Sequence, residues 1–235
     1  MSDQQIIVTG ASRGIGEAIA VELDRRGFRI AALSRSGTSS VGIGYACDMT
    51  DETSVARVIA EVANAGPVVG LVNNAGAHQS APSATLSLAD FEAMIRLNAS
   101  AVLVACREAY PYLKSSGDSL IVNIGSFFDK MAVPENLSYC ASKAAVGALT
   151  RCLGAEWAKD GIKVLDVAPG YIETELNKDF LGNEKIRGWL AKRAPVGRAG
   201  TTHEVARLVG ALFSEKIGFL TGETIYIDGG QGANI

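Results

Sequence analysis

The sequence is dominated by a regular alternation between short, apolar, β-rich runs and longer stretches with a helical pattern. The apolar runs are continuous, which is typical of strands that helices cover on both faces of a parallel sheet. Because strand and helix alternate along the whole chain, we predict a doubly wound α/β fold with a seven-stranded parallel sheet. Strands are expected at 6–8, 29–33, 43–47, 68–72, 120–124, 162–167 and 224–227, and helices at 14–27, 53–65, 87–113, 138–159 and 202–213.

One interval breaks this alternation. The second and third predicted strands are separated only by residues 34–42, which are rich in Ser and Gly. A parallel crossover normally contains a helix of about ten or more residues. We therefore expect the crossover after the second strand to lack its helix.

Length and charge exclude several classes of protein. The chain has 235 residues, 48% of them hydrophobic, which suits one globular domain spanning 1–235. The net charge is −3 and no basic stripe is present, so nucleic acid and anionic membranes are poor candidate partners. No apolar run approaches the ~20 residues that span a bilayer. The polar segment 1–5 lacks the basic region of a secretory signal, so a cytoplasmic protein is expected.

Cysteines and histidines offer no metal site in the sequence. The four cysteines, which show no metal-ligand spacing, are Cys47, Cys106, Cys140 and Cys152. We expect them to be reduced and to act as small buried apolar side chains. The two histidines, His78 and His203, are expected to be ordinary loop or surface residues, and no metal is expected.

A glycine-rich turn, Thr-Gly-Ala-Ser-Arg-Gly-Ile-Gly at 9–16, follows the first predicted strand and opens the first helix. Gly10 permits a tight turn, and Gly14 and Gly16 let a diphosphate and the neighbouring strand approach the backbone. The free N–H groups and partial positive charge of a helix N-terminus suit a phosphate. This strand–turn–helix context predicts a dinucleotide site. Its expected contacts are Gly10, Ser12, Arg13, Gly14, Ile15 and Gly16.

Further motifs follow the turn in a characteristic order. They are Asn-Asn-Ala-Gly at 73–76, Asn98, Ser126, Tyr139-x-x-x-Lys143, Pro169-Gly170 with Thr174, Thr-Gly-Glu at 221–223 and Asp-Gly-Gly at 228–230. With these marks the chain resembles the short-chain dehydrogenase/reductase family from Thr9 to Gly230. The C-terminal half looks most like the 3-oxoacyl-[acyl-carrier-protein] reductases. The resemblance implies a single-domain Rossmann fold and a homotetramer formed through the helices at 87–113 and 138–159.

The resemblance assigns catalysis to four residues. Tyr139 would exchange a proton with the substrate oxygen, and Ser126 would orient that oxygen. Lys143 would tune Tyr139 and hold the nicotinamide ribose, while Asn98 would hold a water that relays protons. Tyr139 and Lys143 stand four apart on a predicted helix and so share one face. A nearby ammonium is expected to lower a phenol pKa from its ordinary value of ~10.

The end of the second predicted strand bears on the choice of cofactor. An acidic residue there selects NAD, and this chain has none in Leu-Ser-Arg-Ser at 33–36. Arg35, helped by Ser34 and Arg13, is placed to pair with a 2′-phosphate, so NADP(H) is the predicted cofactor. Asp48 matches the family position near the adenine. The remaining cofactor contacts implied by the resemblance are Asn74, Ala75, Gly76, Tyr139, Lys143, Pro169, Gly170, Ile172 and Thr174.

The substrate is less determined than the chemistry. The predicted reaction is reduction of a ketone to a secondary alcohol, with a 3-oxoacyl thioester as the first candidate substrate. A free alcohol, sugar or cyclic alcohol is the alternative, and a non-catalytic NADP-binding regulator is a remote one. The polar segment 171–200 is expected to form a substrate lid. One position departs from the family: residue 166 is Asp, where members commonly carry Asn, so local support of that strand is expected to differ.

Overall fold

The computed structural model describes residues 3–175, 177 and 182–233, and its centre is a twisted parallel sheet. The strands are β1 (Gln5–Thr9), β2 (Arg29–Ser34), β3 (Ile43–Ala46), β4 (Val68–Asn73), β5 (Ser119–Ile124), β6 (Ile162–Pro169), β7 (Ile172–Glu173), β8 (Gly200–Thr201) and β9 (Thr224–Ile227). Seven of them form one sheet in the order β3-β2-β1-β4-β5-β6-β9, and all its pairs are parallel. The predicted seven-stranded parallel sheet is confirmed.

Helices connect these strands, and several of them begin at a side-chain cap. They are α1 (Gly14–Arg25), α2 (Glu52–Asn64), α3 (Leu88–Ile95), α4 (Ala101–Ser116), α5 (Leu137–Trp157), α6 (Glu184–Arg193) and α7 (Thr202–Glu215). Asp51 caps α2 and Ser87 caps α3, each by accepting a backbone N–H bond. Thr201 and Glu204 form a capping box on α7. These caps satisfy N–H groups that a helix start leaves without a partner.

The two faces of the sheet carry separate apolar layers because adjacent strand residues point to opposite sides. Ile7 packs with side chains of α2, α4 and α5. Ile6 and Val8 pack with side chains of α1 and α7 on the other face. Burial on both faces explains why the strands read as continuous apolar runs in the sequence.

The crossover from β2 to β3 contains no helix in the described chain, as the sequence predicts. Gly42 makes this short connection possible because its φ is +66°, in the left-handed region that favours glycine. A Cβ atom on Gly42 would also overlap the carbonyl oxygen of Ile30. The connection therefore lies directly against β2. The residues of β3, at that edge of the sheet, are exposed or half-buried.

The strand order places a crevice at the middle of the sheet. The chain moves from β1 outward to β2 and β3, and then returns to β4 on the opposite side of β1. In open α/β sheets, ligands bind outside the carboxyl ends of the strands where the order reverses in this way. The turn at 9–16 and the segment at 73–76 both emerge at that point.

The predicted helix at 87–113 is interrupted. Between α3 and α4 the residues Arg96–Ser100 form a π-helical turn, and the helix then continues to Ser116. Single π-helical turns inside α-helices insert one extra residue and recur at functional sites. Apolar periodicity does not reveal such a local change, since the helix keeps its direction on both sides of it.

The segment predicted as a lid follows β6. Its ends pair through β7 and β8, and its helix α6 is mostly exposed and buries Leu190. Residues 176 and 178–181 lie outside the described part of the chain. The lid itself stays a prediction.

Two findings bear on other expectations from the sequence. Within the described residues, no helix is long and apolar enough to cross a membrane. All four cysteines are free, and Cys47 and Cys106 are buried as expected, whereas Cys140 is only half-buried and Cys152 is exposed. The expectation of burial is wrong for Cys152 because α5 turns Leu153 and Trp157, not Cys152, toward the apolar layer.

We predict that Gly42→Ala destabilises the fold. The left-handed φ and the overlap with the Ile30 carbonyl together should lower the free energy of unfolding by roughly 2–4 kcal/mol. Urea denaturation measures the change. Gly188→Ala, in exposed α6 where a Cβ meets no atom within 4 Å, is the control and should be neutral or stabilising. Equal midpoints for the two variants would contradict the analysis.

Candidate active site

The glycine turn begins where β1 ends and is attached to β2. The N–H groups of Gly10 and Ala11 both donate to the Leu33 carbonyl, at 2.8 and 3.3 Å. Gly10 has a φ of +66°, and a Cβ atom there would lie 2.9 Å from Ala75 Cα. The turn therefore needs glycine both for its backbone conformation and for its close contact with the segment after β4.

Asn74 joins this turn to the end of β4. Its side-chain amide donates to the carbonyl oxygens of Thr9 and Gly10, at 3.0 and 3.2 Å. The Thr9 hydroxyl accepts from the N–H groups of Asn74 and Ala75, both at 3.0 Å. A Cβ on Gly16 would overlap the Asn74 amide. Asn74 and Gly16 thus hold the turn in place.

A cleft of about 650 Å³ opens at this edge of the sheet. Most of the predicted cofactor contacts line it, namely Gly10, Ser12, Arg13, Gly14, Ile15, Ser34, Arg35, Asp48, Asn74, Ala75, Gly76 and Thr174. The atom nearest to a Cβ placed on Gly14 would be Thr174 Cγ2, at 4.0 Å. The open space above Gly14, at the start of α1, suits the diphosphate of a dinucleotide.

Besides Tyr139 and Lys143, which are described below, four predicted cofactor contacts are not among the residues that line this cleft. Pro169 is the buried last residue of β6, and Gly170 packs closely against Asp228. Ile172 is buried in the apolar layer of α1 and α7. Gly16 is covered by Asn74 and Gly10. The roles predicted for these four residues as cofactor contacts stay predictions.

The end of the cleft near β2 and β3 carries the charges predicted to select the cofactor. Ser34 is buried, whereas Arg35 and Arg13 are exposed at the edge of the cleft. Asp48 accepts hydrogen bonds from the N–H and hydroxyl of Thr50, at 2.9 and 2.8 Å. These bonds, and the nearby charge of Arg35, hold the pKa of Asp48 below its ordinary value.

Tyr139, Lys143 and Ser126 come together at the carboxyl end of β5. Lys143 is buried on α5, and its ammonium donates to the Ile124 carbonyl at 2.7 Å. The ammonium lies 5.7 Å from the centre of the Tyr139 ring. Ser126 is buried two residues after β5 and caps the short 3₁₀ turn Phe127–Asp129. The spacing along the sequence therefore corresponds to a real cluster of side chains.

Burial dominates the electrostatics of this cluster. Desolvation lowers the pKa of Lys143 to about 8, against an opposing effect of Asp166. Burial raises the pKa of Tyr139, while its interaction with the Ser126 hydroxyl lowers it. The expected lowering of the Tyr139 pKa by an ammonium is thus not found, because loss of solvent outweighs the hydrogen bond with Ser126 that lowers this pKa.

Asn98 lies in the π-helical turn and is almost fully buried. Its amide nitrogen donates to the Ala77 carbonyl and the Ser142 hydroxyl, at 2.9 and 3.1 Å. Its side-chain oxygen accepts from the Ala77 N–H at 2.9 Å. Asn98 therefore ties the segment after β4 to α5, one residue away from Lys143. Its predicted part in a proton relay stays a prediction.

Sequence reasoning missed the neighbourhood of His78. Its ring centre lies 4.8 Å from that of Tyr139, and its Nε2 lies 2.6 Å from Asn136 Oδ1. Phe128 packs edge-on against Tyr139, and Tyr171 packs against Phe128. The sequence did contain a signal for this, since His78 comes two residues after the Asn-Asn-Ala-Gly motif and lines the same cleft. Among the described residues, no group of His, Cys, Asp or Glu side chains is arranged to hold a metal.

Comparisons with known proteins agree with this geometry. A family model described as enoyl-(acyl carrier protein) reductase matches residues 10–231. Glucose 1-dehydrogenase of Gluconobacter oxydans is 33% identical, over 97% of this chain and 91% of that protein. 3-Oxoacyl-[acyl-carrier-protein] reductase MabA of Mycobacterium bovis is 32% identical, over 97% and 93%. A gluconate 5-dehydrogenase from Burkholderia cenocepacia, solved with NADP and tartrate, has a TM-score of 0.91 at 30% identity, covering 100% of this chain and 97% of that one.

The fold and the cleft define an oxidoreductase of the Rossmann type that uses a nicotinamide cofactor. Matches of this extent, with the motifs in the expected order, establish the group within that class. The chain belongs to the short-chain dehydrogenase/reductase family.

We predict that stability of the chain depends on the protonation of Lys143. With a folded-state pKa near 8 and an ordinary value of 10.5, the unfolded chain binds more protons in that interval. The free energy of unfolding therefore rises with pH there, by at most roughly 3 kcal/mol from this residue.

Urea unfolding of the unmodified chain and of Lys143→Met, compared between pH 7 and about 10.5, isolates this effect. The unmodified chain should gain stability relative to the variant as pH rises. Lys159→Met, which removes an exposed lysine just after α5, controls for loss of a lysine as such. A difference between Lys143→Met and the unmodified chain that is constant with pH would refute the prediction.

Proposed function

We propose that the chain is an NADP(H)-dependent oxidoreductase that reduces a ketone to a secondary alcohol. The observation that carries the proposal is the cluster of Tyr139, Lys143 and Ser126 at the end of a dinucleotide cleft. A phenol, an ammonium and a hydroxyl at one point supply a proton donor, a positive charge and an orienting group. Both Tyr139 and Lys143 are present, Lys143 buried and Tyr139 half-buried, which argues against a regulator that has lost catalysis.

The chain's residues handle the proton and the substrate oxygen. Ser126 donates a hydrogen bond to the carbonyl oxygen and orients it beside Tyr139. The Tyr139 hydroxyl gives its proton to that oxygen as negative charge develops on it. Lys143 stabilises the resulting phenolate, which offsets the cost of burying that charge. The bound nicotinamide supplies or accepts the hydride.

Asn98 and its neighbours complete the proposed proton path. Asn98 fixes the segment after β4 against Ser142, which lies next to Lys143 in α5. The proposed role of Asn98 is to hold a water near Lys143, so that the proton lost by Tyr139 is replaced from solvent. Replacement of that proton returns the site to its starting state after each turnover.

NADP(H) is the proposed cofactor because of the charges at the adenine end. Arg35 and Arg13 lie along one cleft, and no carboxylate stands at the end of β2. One guanidinium group can donate two parallel hydrogen bonds to the oxygens of a phosphate. The NADP complex of the Burkholderia cenocepacia enzyme supports the choice by similarity.

Arg35→Asp is expected to reverse the cofactor preference. Loss of a charge-assisted contact with the 2′-phosphate should weaken NADPH binding by at least about tenfold, and the new carboxylate should favour the ribose hydroxyls of NADH. Fluorescence titration with both cofactors measures this. Arg207→Asp, at an exposed position of α7, is the control for the same change of charge. Equal affinities for the two cofactors in the unmodified chain would reject the assignment.

A 3-oxoacyl thioester is the first candidate substrate, supported by the likeness to the Mycobacterium bovis reductase. A free sugar, polyol or cyclic alcohol is the second candidate. The aromatic wall of Phe128, His78 and Tyr171 beside Tyr139 favours this alternative, since flat rings pack well against a ring-shaped substrate. The likeness to glucose and gluconate dehydrogenases points the same way.

Tyr139→Phe is expected to abolish turnover without loss of cofactor binding. NADPH consumption is followed with an acetoacetyl thioester, and NADP reduction with glucose, gluconate and a cyclic alcohol. Removal of the proton donor should lower kcat by roughly 10²–10⁴-fold.

Tyr110→Phe, which removes a half-buried hydroxyl that donates to Asp160 of the turn after α5, is the matched control and should stay active. Turnover of the thioester alone supports a 3-oxoacyl reductase, and turnover of a free alcohol supports the second candidate. Full activity of Tyr139→Phe would overturn the mechanism.

Assembly, location and the lid complete the proposal. A cytoplasmic homotetramer would form through α3, α4 and α5, and the exposed apolar side chains Leu103 and Leu137 on these helices support a contact there. The segment 171–200 would close over the substrate, and within it the rings of Tyr171 and Trp189 are in edge contact.

A further inference from the structure

Asp166 is a buried carboxyl group at a position where the family commonly carries Asn. It lies on β6 with no exposed surface. Its Oδ2 accepts from the Thr224 hydroxyl at 3.3 Å, the Gly125 backbone N–H also interacts with the carboxyl group, and Oδ1 has no donor in good geometry among the described residues. A buried carboxylate with a free oxygen is costly, so its retention here requires a compensating interaction.

The carboxyl group packs beneath the bend that carries the active site. A Cβ atom on Gly125 would overlap both carboxylate oxygens of Asp166. Gly125 follows Ile124, whose carbonyl holds the Lys143 ammonium, and precedes Ser126. Asp166 therefore lies against Gly125, the residue between Ile124, whose carbonyl accepts from Lys143, and Ser126.

Several charged or titratable groups face this carboxyl group. Lys143 comes from α5, Asp129 from the 3₁₀ turn after Ser126, and Tyr226 from β9. The Tyr226 hydroxyl donates to Asp129 Oδ2 at 2.8 Å, and Arg151 of α5 lies near the same group. Burial raises the pKa of Asp166 to about 6, with Lys143 opposing the rise and Asp129 adding to it. Asp166 thus carries its charge at neutral pH and loses it in mild acid.

We propose that Asp166 is a positioning residue that holds Lys143 in its charged form and so sets the pH dependence of proton transfer at Tyr139. The negative charge of Asp166 favours the protonated form of Lys143 and so opposes the desolvation that favours neutral lysine. The inference rests on the proposed function for its catalytic consequence, but the charge of Lys143 is measurable without any substrate.

Asp166→Asn removes the negative charge and keeps the shape of the side chain. Loss of a nearby negative charge lowers the pKa of every group around it, so the pKa of Lys143 should fall by about one unit. The unmodified chain should also show a second inflection near pH 6, where Asp166 titrates, and the variant should lack it. A purely structural role for Asp166 would not produce either change.

The measurement uses ¹³C-NMR of the full-length chain labelled at the lysine Cε, with Lys143→Met to assign the signal. A lower pKa of Lys143 and a missing acid inflection in Asp166→Asn support the proposal. Asp160→Asn, in the 3₁₀ turn after α5 where the carboxylate pairs with Lys114, is the control and should shift neither. An unchanged pKa of Lys143 in folded Asp166→Asn would overturn the proposal.

Thr224→Val provides a second test that leaves the carboxyl group in place. Without the Thr224 hydroxyl the carboxylate loses one of the hydrogen bonds that stabilise its charge, so the inflection near pH 6 should move to higher pH. An inflection that stays in place would contradict the assignment to Asp166.

Once a substrate is found, the rise of alcohol oxidation with pH should start at lower pH in Asp166→Asn. Because the NMR titration needs no turnover, failure of the proposed reaction and failure of this inference are distinguishable.

Discussion

The hydrogen bonds between the ends of β1 and β4 are the interaction on which the site depends. The Thr9 hydroxyl accepts from the N–H groups of Asn74 and Ala75, and the Asn74 side-chain amide donates to the Thr9 carbonyl. These bonds join the two strands where the sheet order reverses. The same contact bends the glycine turn toward the cleft and directs the segment after β4 past Asn98. Without it, the start of α1 and the proton-handling residues would lose their common frame, because no backbone ladder continues beyond the strand ends.

Burial is the second constraint on the site. It brings the proton-handling groups together, and it also disfavours the charged forms of Lys143 and Tyr139. The sheet is covered on both faces, so the side chains at its carboxyl edge have little access to water. This desolvation lowers the pKa of Lys143 and raises the pKa values of Tyr139 and Asp166. The site therefore consists of groups whose charges depend on one another, which is a common property of proton-transfer sites.

Several features of the fold were predictable because they rest on local patterns. Continuous apolar runs predicted the parallel strands, and the nine residues 34–42 were too few for a helix in the crossover after β2. The π-helical turn at Arg96–Ser100 was not predictable, since it changes the hydrogen-bond pattern without changing the apolar pattern. The exposure of Cys152 was missed because composition does not say which side of a helix faces the sheet.

The sequence by itself determined the alternation of strands and helices, the glycine turn and the spacing of Tyr139 and Lys143. These are properties of neighbours along the chain, which steric and hydrogen-bonding rules govern directly. Only the tertiary structure decided that His78 stands against Tyr139, that Asn74 holds the turn, and that Asp166 lies beneath Gly125. Contacts between residues far apart in sequence, and the desolvation that shifts their pKa values, depend on packing that no local pattern specifies.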